Sequence, residues 1–182
     1  MTTKDGGQAP LQHLNEGVAQ IAIIVPDLDR AVERYYKTFG IGPWHFYTYE
    51  KPLVKDMSYM GQPADYSNRI ALSHFGPMRI ELIEIGEGDT VYADFVKEHG
   101  YGVQHLGLLV DDMPSAINEW EQAGLTMTMD GSGFGPDGDG HYAYFDTETD
   151  FGVTLELIQR PARRHPPEKI YPPQDKDVVP GD

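Results

Sequence analysis

Four polar residues, Gln20, Glu81, His105 and Glu156, each interrupt an aliphatic stretch, and they form two matched pairs. Gln20 lies in Val18-Ala-Gln-Ile-Ala-Ile-Ile-Val25, and His105 lies 85 positions on in Val103-Gln-His-Leu-Gly-Leu-Leu-Val110. Glu81 lies in Arg79-Ile-Glu-Leu-Ile83, and Glu156 lies 75 positions on in Thr154-Leu-Glu-Leu-Ile158. Two glutamates on one inner sheet face would repel and be costly to desolvate. A divalent cation removes that cost. Two carboxylates, an imidazole nitrogen and an amide oxygen suit Zn, Ni, Co, Fe(II) or Mn, and leave positions open for water or substrate. A glutamate on a strand is ordinarily just solvated, but chance offers no reason for four such residues at duplicated positions.

The surrounding elements must place these groups together. In Val18–Val25, Gln20, Ala22 and Ile24 share one face, and Ile21, Ile23 and Val25 the other. A helix is expected over 29–38, closed by Gly40, then a strand over 44–49 and a long loop over 51–66. Residues 68–75 and 78–85 read as a hairpin turning at Gly76-Pro77, and 91–99 as a helix with Thr90 as N-cap. The order then repeats: strand 103–110, helix 114–123, and strands 125–130, 141–146 and 153–159. The expected fold class is α+β, with paired βαβββ modules forming a curved, cup-shaped mixed sheet and helices outside. The division is a flexible N-terminus (1–16), a first module (17–87), a linker helix (88–101), a second module (102–160) and a proline-rich tail (161–182). Six prolines from Pro161 onward exclude helix and central strand there, leaving disorder or an extended surface arm.

Composition narrows the function classes. A net charge of −15 argues against nucleic acid and anionic membrane surfaces as partners. The absence of cysteine excludes thiolate chemistry and disulfides. The polar start carries no apolar signal segment, and no apolar run reaches membrane-spanning length, so a cytoplasmic protein is expected.

Aromatic residues gather around the long first-module loop and its second-module counterpart. Trp44, Tyr47, Tyr49, Tyr59 and Tyr144 are candidate walls of a pocket for an apolar or aromatic small molecule, with Arg69 nearby. His141 is a candidate second acid/base, since imidazole titrates near neutrality. Gly133-Phe-Gly-Pro-Asp-Gly138 matches a dinucleotide pattern only formally, because a strand and not a helix follows it. The glycine-rich run 131–140 reads as a mobile loop.

These residues resemble the vicinal oxygen chelate superfamily, which includes glyoxalase I, methylmalonyl-CoA epimerase, extradiol dioxygenases and bleomycin- and fosfomycin-resistance proteins. The resemblance covers roughly residues 17–160. Its most specific pieces are 24–29 (Ile-Val-Pro-Asp-Leu-Asp), 102–113 (Gly-Val-Gln-His-Leu-Gly-Leu-Leu-Val-Asp-Asp-Met) and 152–159 (Gly-Val-Thr-Leu-Glu-Leu-Ile-Gln). The linker 89–100, running into His105, is closest to the epimerase branch. The resemblance implies metal ligands on the first and last strand of each module, here Gln20, Glu81, His105 and Glu156. It further implies a metal-dependent isomerase, epimerase or lyase that stabilises an enediolate or enolate. Glu156 or Glu81 would be the base and His141 its partner. The alternatives are a resistance-type binding protein without catalysis and an Fe(II)-dependent dioxygenase. A homodimer is the expected assembly, with the modules pairing either within one chain or across two. Three departures stand out. Ile24 replaces the arginine, and Ile85 the asparagine, that glyoxalase I typically carries four residues after its first and second ligands. The stretch 67–71 lacks the epimerase's proton-shuttling glutamate.

Overall fold

The computed structural model describes residues 17–173, so the N-terminal segment 1–16 and the tail end 174–182 lie outside the described residues. The first module comprises β1 (Gln20–Ile24), α1 (Leu28–Phe39), β2 (Trp44–Tyr49), β3 (Asp56–Tyr59), β4 (Gln62–Pro63), β5 (Asn68–Phe75) and β6 (Met78–Ile85). The linker helix is α2 (Val91–His99). The second module comprises β7 (Gly102–Leu109), α3 (Met113–Gln122), β8 (Met127–Phe134), β9 (Gly140–Phe145), α4 (Glu148–Phe151) and β10 (Thr154–Gln159), and β11 (Lys169–Tyr171) follows in the tail.

Local chemistry fixes the helices. Asp27 caps α1 by accepting the Arg30 N–H at 2.9 Å, and Gly40 ends it in the left-handed region at φ 69°. Thr90 caps α2 through the Ala93 N–H, and Asp112 caps α3 through the Ser115 N–H. The buried side of α1, Leu28 and Val32, packs on Trp44, Phe46, Ala71, Ile80 and Leu82. Met113, Ala116 and Trp120 of α3 pack likewise on Leu108, Ala143, Phe145 and Leu157. Each helix therefore covers the outer face of its own module.

The strands form one mixed sheet in the order β11-β2-β5-β6-β1-β7-β10-β9-β8-β3-β4. β1 is parallel to β6, and β7 is parallel to β10, so each module sets its first strand beside its last. The antiparallel β1–β7 pair joins the two modules within one chain. As the alternation requires, Ala22, Ile24 and Ile83 point away from α1 into a cluster with Tyr47, Tyr66, Met129 and Tyr142. That inner cluster fills the cup.

The region 51–66 departs from the expected loop. It holds β3 and β4, turned at Met60-Gly61 with φ 48° and 73°, and β3 pairs with β8 of the second module. β2 lies near one margin of the sheet and β3 near the other, with six residues between them. Such a link spans at most roughly 25 Å, so the sheet must curl. Inside the curl the Tyr49 ring meets Phe134 at 5.4 Å and Tyr142 at 6.1 Å between centroids.

The glycine-rich run is a loop only over 135–139. Residues 131–134 extend β8, and Gly140 opens β9. These glycines serve close approach. A Cβ at Gly131 would meet the Tyr142 hydroxyl at 2.2 Å, and one at Gly140 the Phe134 ring at 2.3 Å. The described part of the tail is an extended arm, and β11 pairs antiparallel with the margin strand β2, where proline is tolerated.

Candidate metal centre

Gln20, Glu81, His105 and Glu156 converge on the inner face at the seam between modules, where β6, β1, β7 and β10 lie side by side. Gln20 Nε2 donates to Glu81 Oε2 at 2.7 Å and to Glu156 Oε2 at 3.2 Å. His105 Nε2 lies 3.5 Å from Glu81 Oε2 and 3.1 Å from Glu156 Oε2. The ligand atoms of Glu81, His105 and Glu156 lie within 4.8 Å of one another, and all three residues are buried. Desolvation opposes charging of His105, but the carboxylates of Glu156 and Glu81 outweigh it and hold the imidazole up at about 9.

Three observations fit this cluster to a divalent ion. His105 Nε2 is buried and makes no hydrogen bond among the described residues, although it points between two carboxylates. Its other nitrogen, Nδ1, bonds Gln104 Oε1 at 2.7 Å, which turns Nε2 toward the cluster, where a bound cation would displace its proton and take the lone pair. Gly107, opposite both Gln20 and Glu156 in register, keeps the floor open: a Cβ there would lie 3.0 Å from Glu156 Oε2. The Gln20 amide now presents its nitrogen, and a half-turn about its last bond would present the oxygen that a metal takes.

A tyrosine pair supports the centre. Tyr144 donates its hydroxyl to Glu156 Oε1 at 2.8 Å, and the Tyr92 hydroxyl lies 2.6 Å from that of Tyr144. Burial first, and the glutamates next, push both phenols well above their ordinary range, so they remain protonated. Tyr47 and Tyr49 belong to the inner cluster, and burial pushes Tyr49 up to about 12.

Four expected site residues lie elsewhere, each for a reason of strand parity or partner. Trp44 is on the outer face, packed under α1 with its indole N–H donating to the Ile41 carbonyl at 2.6 Å. Arg69 is held by Glu84 at 2.9 Å and by Asp29 of α1 at 2.8 Å, so it is no part of the cup. His141 alternates with the inward Tyr142 and bonds Asp130 at 2.9 Å, so it does not reach the glutamates as an acid/base partner. Tyr59 packs against the inner cluster, but its hydroxyl is turned outward to Asp94 of α2.

Tyr92, Gln104, Gly107 and Arg79 were missed from sequence. Arg79 had a signal, since it stands two residues before Glu81 and so shares its face. The space against the cluster is only about 30 Å³ and is bordered by Arg79, Arg160, Arg164, Tyr49, Phe134 and Tyr142. A cavity of about 250 Å³ shares Leu72, Arg79 and Arg164 with it. A larger cavity of about 500 Å³ touches the centre's surroundings at Gln104, and none of the four cluster residues lines it.

A family model described as "Glyoxalase/Bleomycin resistance protein/Dioxygenase superfamily" matches residues 19–145. No curated protein matches the chain. Among solved structures, a methylmalonyl-CoA epimerase from Mycobacterium tuberculosis is similar at 21% identity and TM-score 0.58, covering 82% of this chain and 89% of its own. A Streptomyces coelicolor methylmalonyl-CoA epimerase variant, in complex with 2-nitronate-propionyl-CoA, is similar at 22% identity and TM-score 0.60, covering 82% and 97%. A hypothetical protein from Bacillus halodurans C-125 is similar at 19% identity and TM-score 0.56, covering 81% and 96%. At these identities the likeness is one of fold. Among the described residues, no helix is long and apolar enough to cross a membrane.

Proposed function

The chain belongs to the glyoxalase/bleomycin resistance protein/dioxygenase superfamily, and on that premise we propose that it is a metal-dependent isomerase, epimerase or lyase acting on an oxygen-chelating small molecule. The observation that carries this reading is the buried Glu81–His105–Glu156 cluster, in which His105 Nε2 lies 3.1 Å from Glu156 Oε2 and 3.5 Å from Glu81 Oε2. Gln20, Glu81, His105 and Glu156 would hold the ion. A bound divalent cation would supply Lewis acidity, lowering the cost of negative charge on a substrate oxygen.

The chain's own groups divide the remaining work. Both oxygens of Glu156 are engaged, Oε1 by the Tyr144 hydroxyl and Oε2 by Gln20. Glu81 is held through Oε2 alone, and its Oε1 has no partner among the described residues. Glu81 is therefore the better-placed base for abstracting a proton beside a carbonyl, and Glu156 the better-fixed ligand. The tyrosines and Phe134 around the cluster exclude bulk water from the reacting end. A homodimer remains part of the proposed assembly.

The family description, which also names bleomycin resistance proteins, supports a second reading: a binding protein that sequesters its ligand without turnover. Elemental analysis of purified protein, followed by chelation and re-addition of Zn, Ni, Co, Fe or Mn, tests the first reading. One divalent ion per chain, and proton exchange at a carbon beside a substrate carbonyl only when metal is present, are expected. Failure of any divalent ion to bind would sink the metal-dependent reading. Metal-independent ligand binding without turnover would establish the second.

A further inference from the structure

The mouth of the cup concentrates positive charge in a chain of net charge −15. Arg79, Arg160 and Arg164 line the space that leads to Glu81 and Glu156. The adjoining cavity of about 250 Å³ is lined by Arg79 and Arg164 with His45, His74 and Ser73, and by no carboxylate. None of the three arginines has a hydrogen-bond or salt-bridge partner among the described residues. Arg69 and Arg163, in contrast, are paired with acids.

Two donors in this cavity are buried without a partner. Arg79 is 7% exposed and its Nε has none, and Ser73 is 3% exposed and its Oγ has none. A buried guanidinium without a hydrogen-bond partner is costly; Glu81 and Glu156 attract Arg79 from the cluster side, while Arg164 and Arg160 repel it. An anion supplies the missing partner to all of them. A guanidinium fork matches the geometry of carboxylate and phosphate oxygens.

We propose that Arg79, Arg160, Arg164 and Ser73 form an oxyanion subsite that binds a carboxylate or phosphate group of the substrate while its reacting end reaches Glu81 and Glu156. This deepens the function proposed above and rests on it for the word substrate. The subsite itself needs no metal. Arg160 directly follows β10 and Arg164 lies in the arm before β11, so the C-terminal arm supplies part of the specificity.

Calorimetric titration of chelator-treated protein with malonate, and separately with inorganic phosphate, at low salt tests it. Saturable binding of at least one anion is expected, weakened about tenfold or more in Arg164→Gln and in the Arg160→Gln/Arg164→Gln double variant. Both substitutions fall on exposed positions of the arm, so folding is preserved. Arg163→Gln, which removes the same charge next door, should leave the affinity unchanged. The tighter anion identifies the source as carboxylate or phosphate. Absence of saturable binding by wild type overturns the subsite, as does equal binding by the Arg164 variants or an equal loss in Arg163→Gln. Anion binding without metal uptake would leave the subsite standing and remove the proposed reaction, and metal uptake without anion binding would do the reverse.

Discussion

His105 Nε2 lies 3.1 Å from Glu156 Oε2, buried, and makes no hydrogen bond there. Glu81 Oε2 lies 3.5 Å from the same nitrogen, so all three groups are near enough to share one ion. The direction of His105 is set from behind by Gln104, whose Oε1 bonds Nδ1 at 2.7 Å. Replacing Gln104 by Leu keeps the bulk and removes that hydrogen bond. The metal affinity should fall about 10–100-fold, read by competition against a chromogenic chelator, with the secondary structure unchanged by circular dichroism. An unchanged affinity would show that His105 needs no orienting partner.

Gly107 gives a steric counterpart. A Cβ there would meet Ile158 Cδ1 at 2.6 Å, Gln20 Cβ at 3.0 Å and Glu156 Oε2 at 3.0 Å. Gly107→Ala should therefore destabilise the fold by roughly 1–3 kcal/mol through overpacking and lower metal affinity at the same time. Gly102→Ala, on the same strand with nothing within 4 Å of its Cβ, is the control and should do neither. Thermal melts with and without added metal separate the two effects. Equal behaviour of the two variants would contradict the close approach at Gly107.

Much of this site is readable from strand alternation, because a single polar residue in an aliphatic strand has only two faces to choose from. That logic places Gln20, Glu81, His105 and Glu156 together, and the caps Thr90 and Gly40 fix where helices begin and end. Nearness in sequence alone is no substitute for parity. Arg69 and Ala71 share the outer face of β5, and Trp44 and Phe46 share that of β2, so proximity in sequence to the pocket wall did not put Arg69 or Trp44 in the pocket. Parity fails where pairing is long-range. Nothing local in residues 56–59 announces a strand that crosses to pair with β8, and Arg164 sits in an arm without periodicity.

Arg69 allows a direct check on that correction. It bridges Glu84 and Asp29, both partly exposed, and so links β5, β6 and α1. Arg69→Ala should cost less than about 1 kcal/mol, since exposed ion pairs are screened, and should leave both metal and anion affinity at wild-type values. A selective loss of ligand affinity with stability intact would return Arg69 to the site.

The Tyr59–Asp94 hydrogen bond predicts an alkaline signature. The carboxylate of Asp94 beside the phenol, with some burial, holds Tyr59 up at about 12, from an ordinary 10.0. The folded state thus retains a proton that the unfolded state loses first. The stabilisation is fully present below the unfolded value and is lost as pH rises through about 12. The tyrosinate absorbance difference between wild type and Tyr59→Phe should accordingly rise near that folded value. A difference that titrates at the ordinary phenol value would mean that the hydrogen bond is not made in solution.

The division of labour between the two glutamates is separable by the same conservative change at each. Glu156 is fixed at both oxygens, by Tyr144 and by Gln20, while Glu81 keeps Oε1 without a partner. A carboxylate that must swing to a carbon-bound proton and return is better made from the less constrained group, whereas a ligand that defines the ion's position is better made from the more constrained one. Glu81→Gln should lower turnover by about 10²–10⁴-fold and lower metal affinity less than Glu156→Gln does. Glu156→Gln should also remove the charge beside Tyr144 that, after burial, helps hold its phenol protonated. Metal titration and solvent-deuterium incorporation into a bound 2-hydroxy-ketone or acyl thioester, measured on both variants, distinguish base from ligand. If Glu156→Gln abolishes exchange while retaining metal, and Glu81→Gln still exchanges, the roles are reversed and Tyr144 becomes the hydrogen-bond partner of the base.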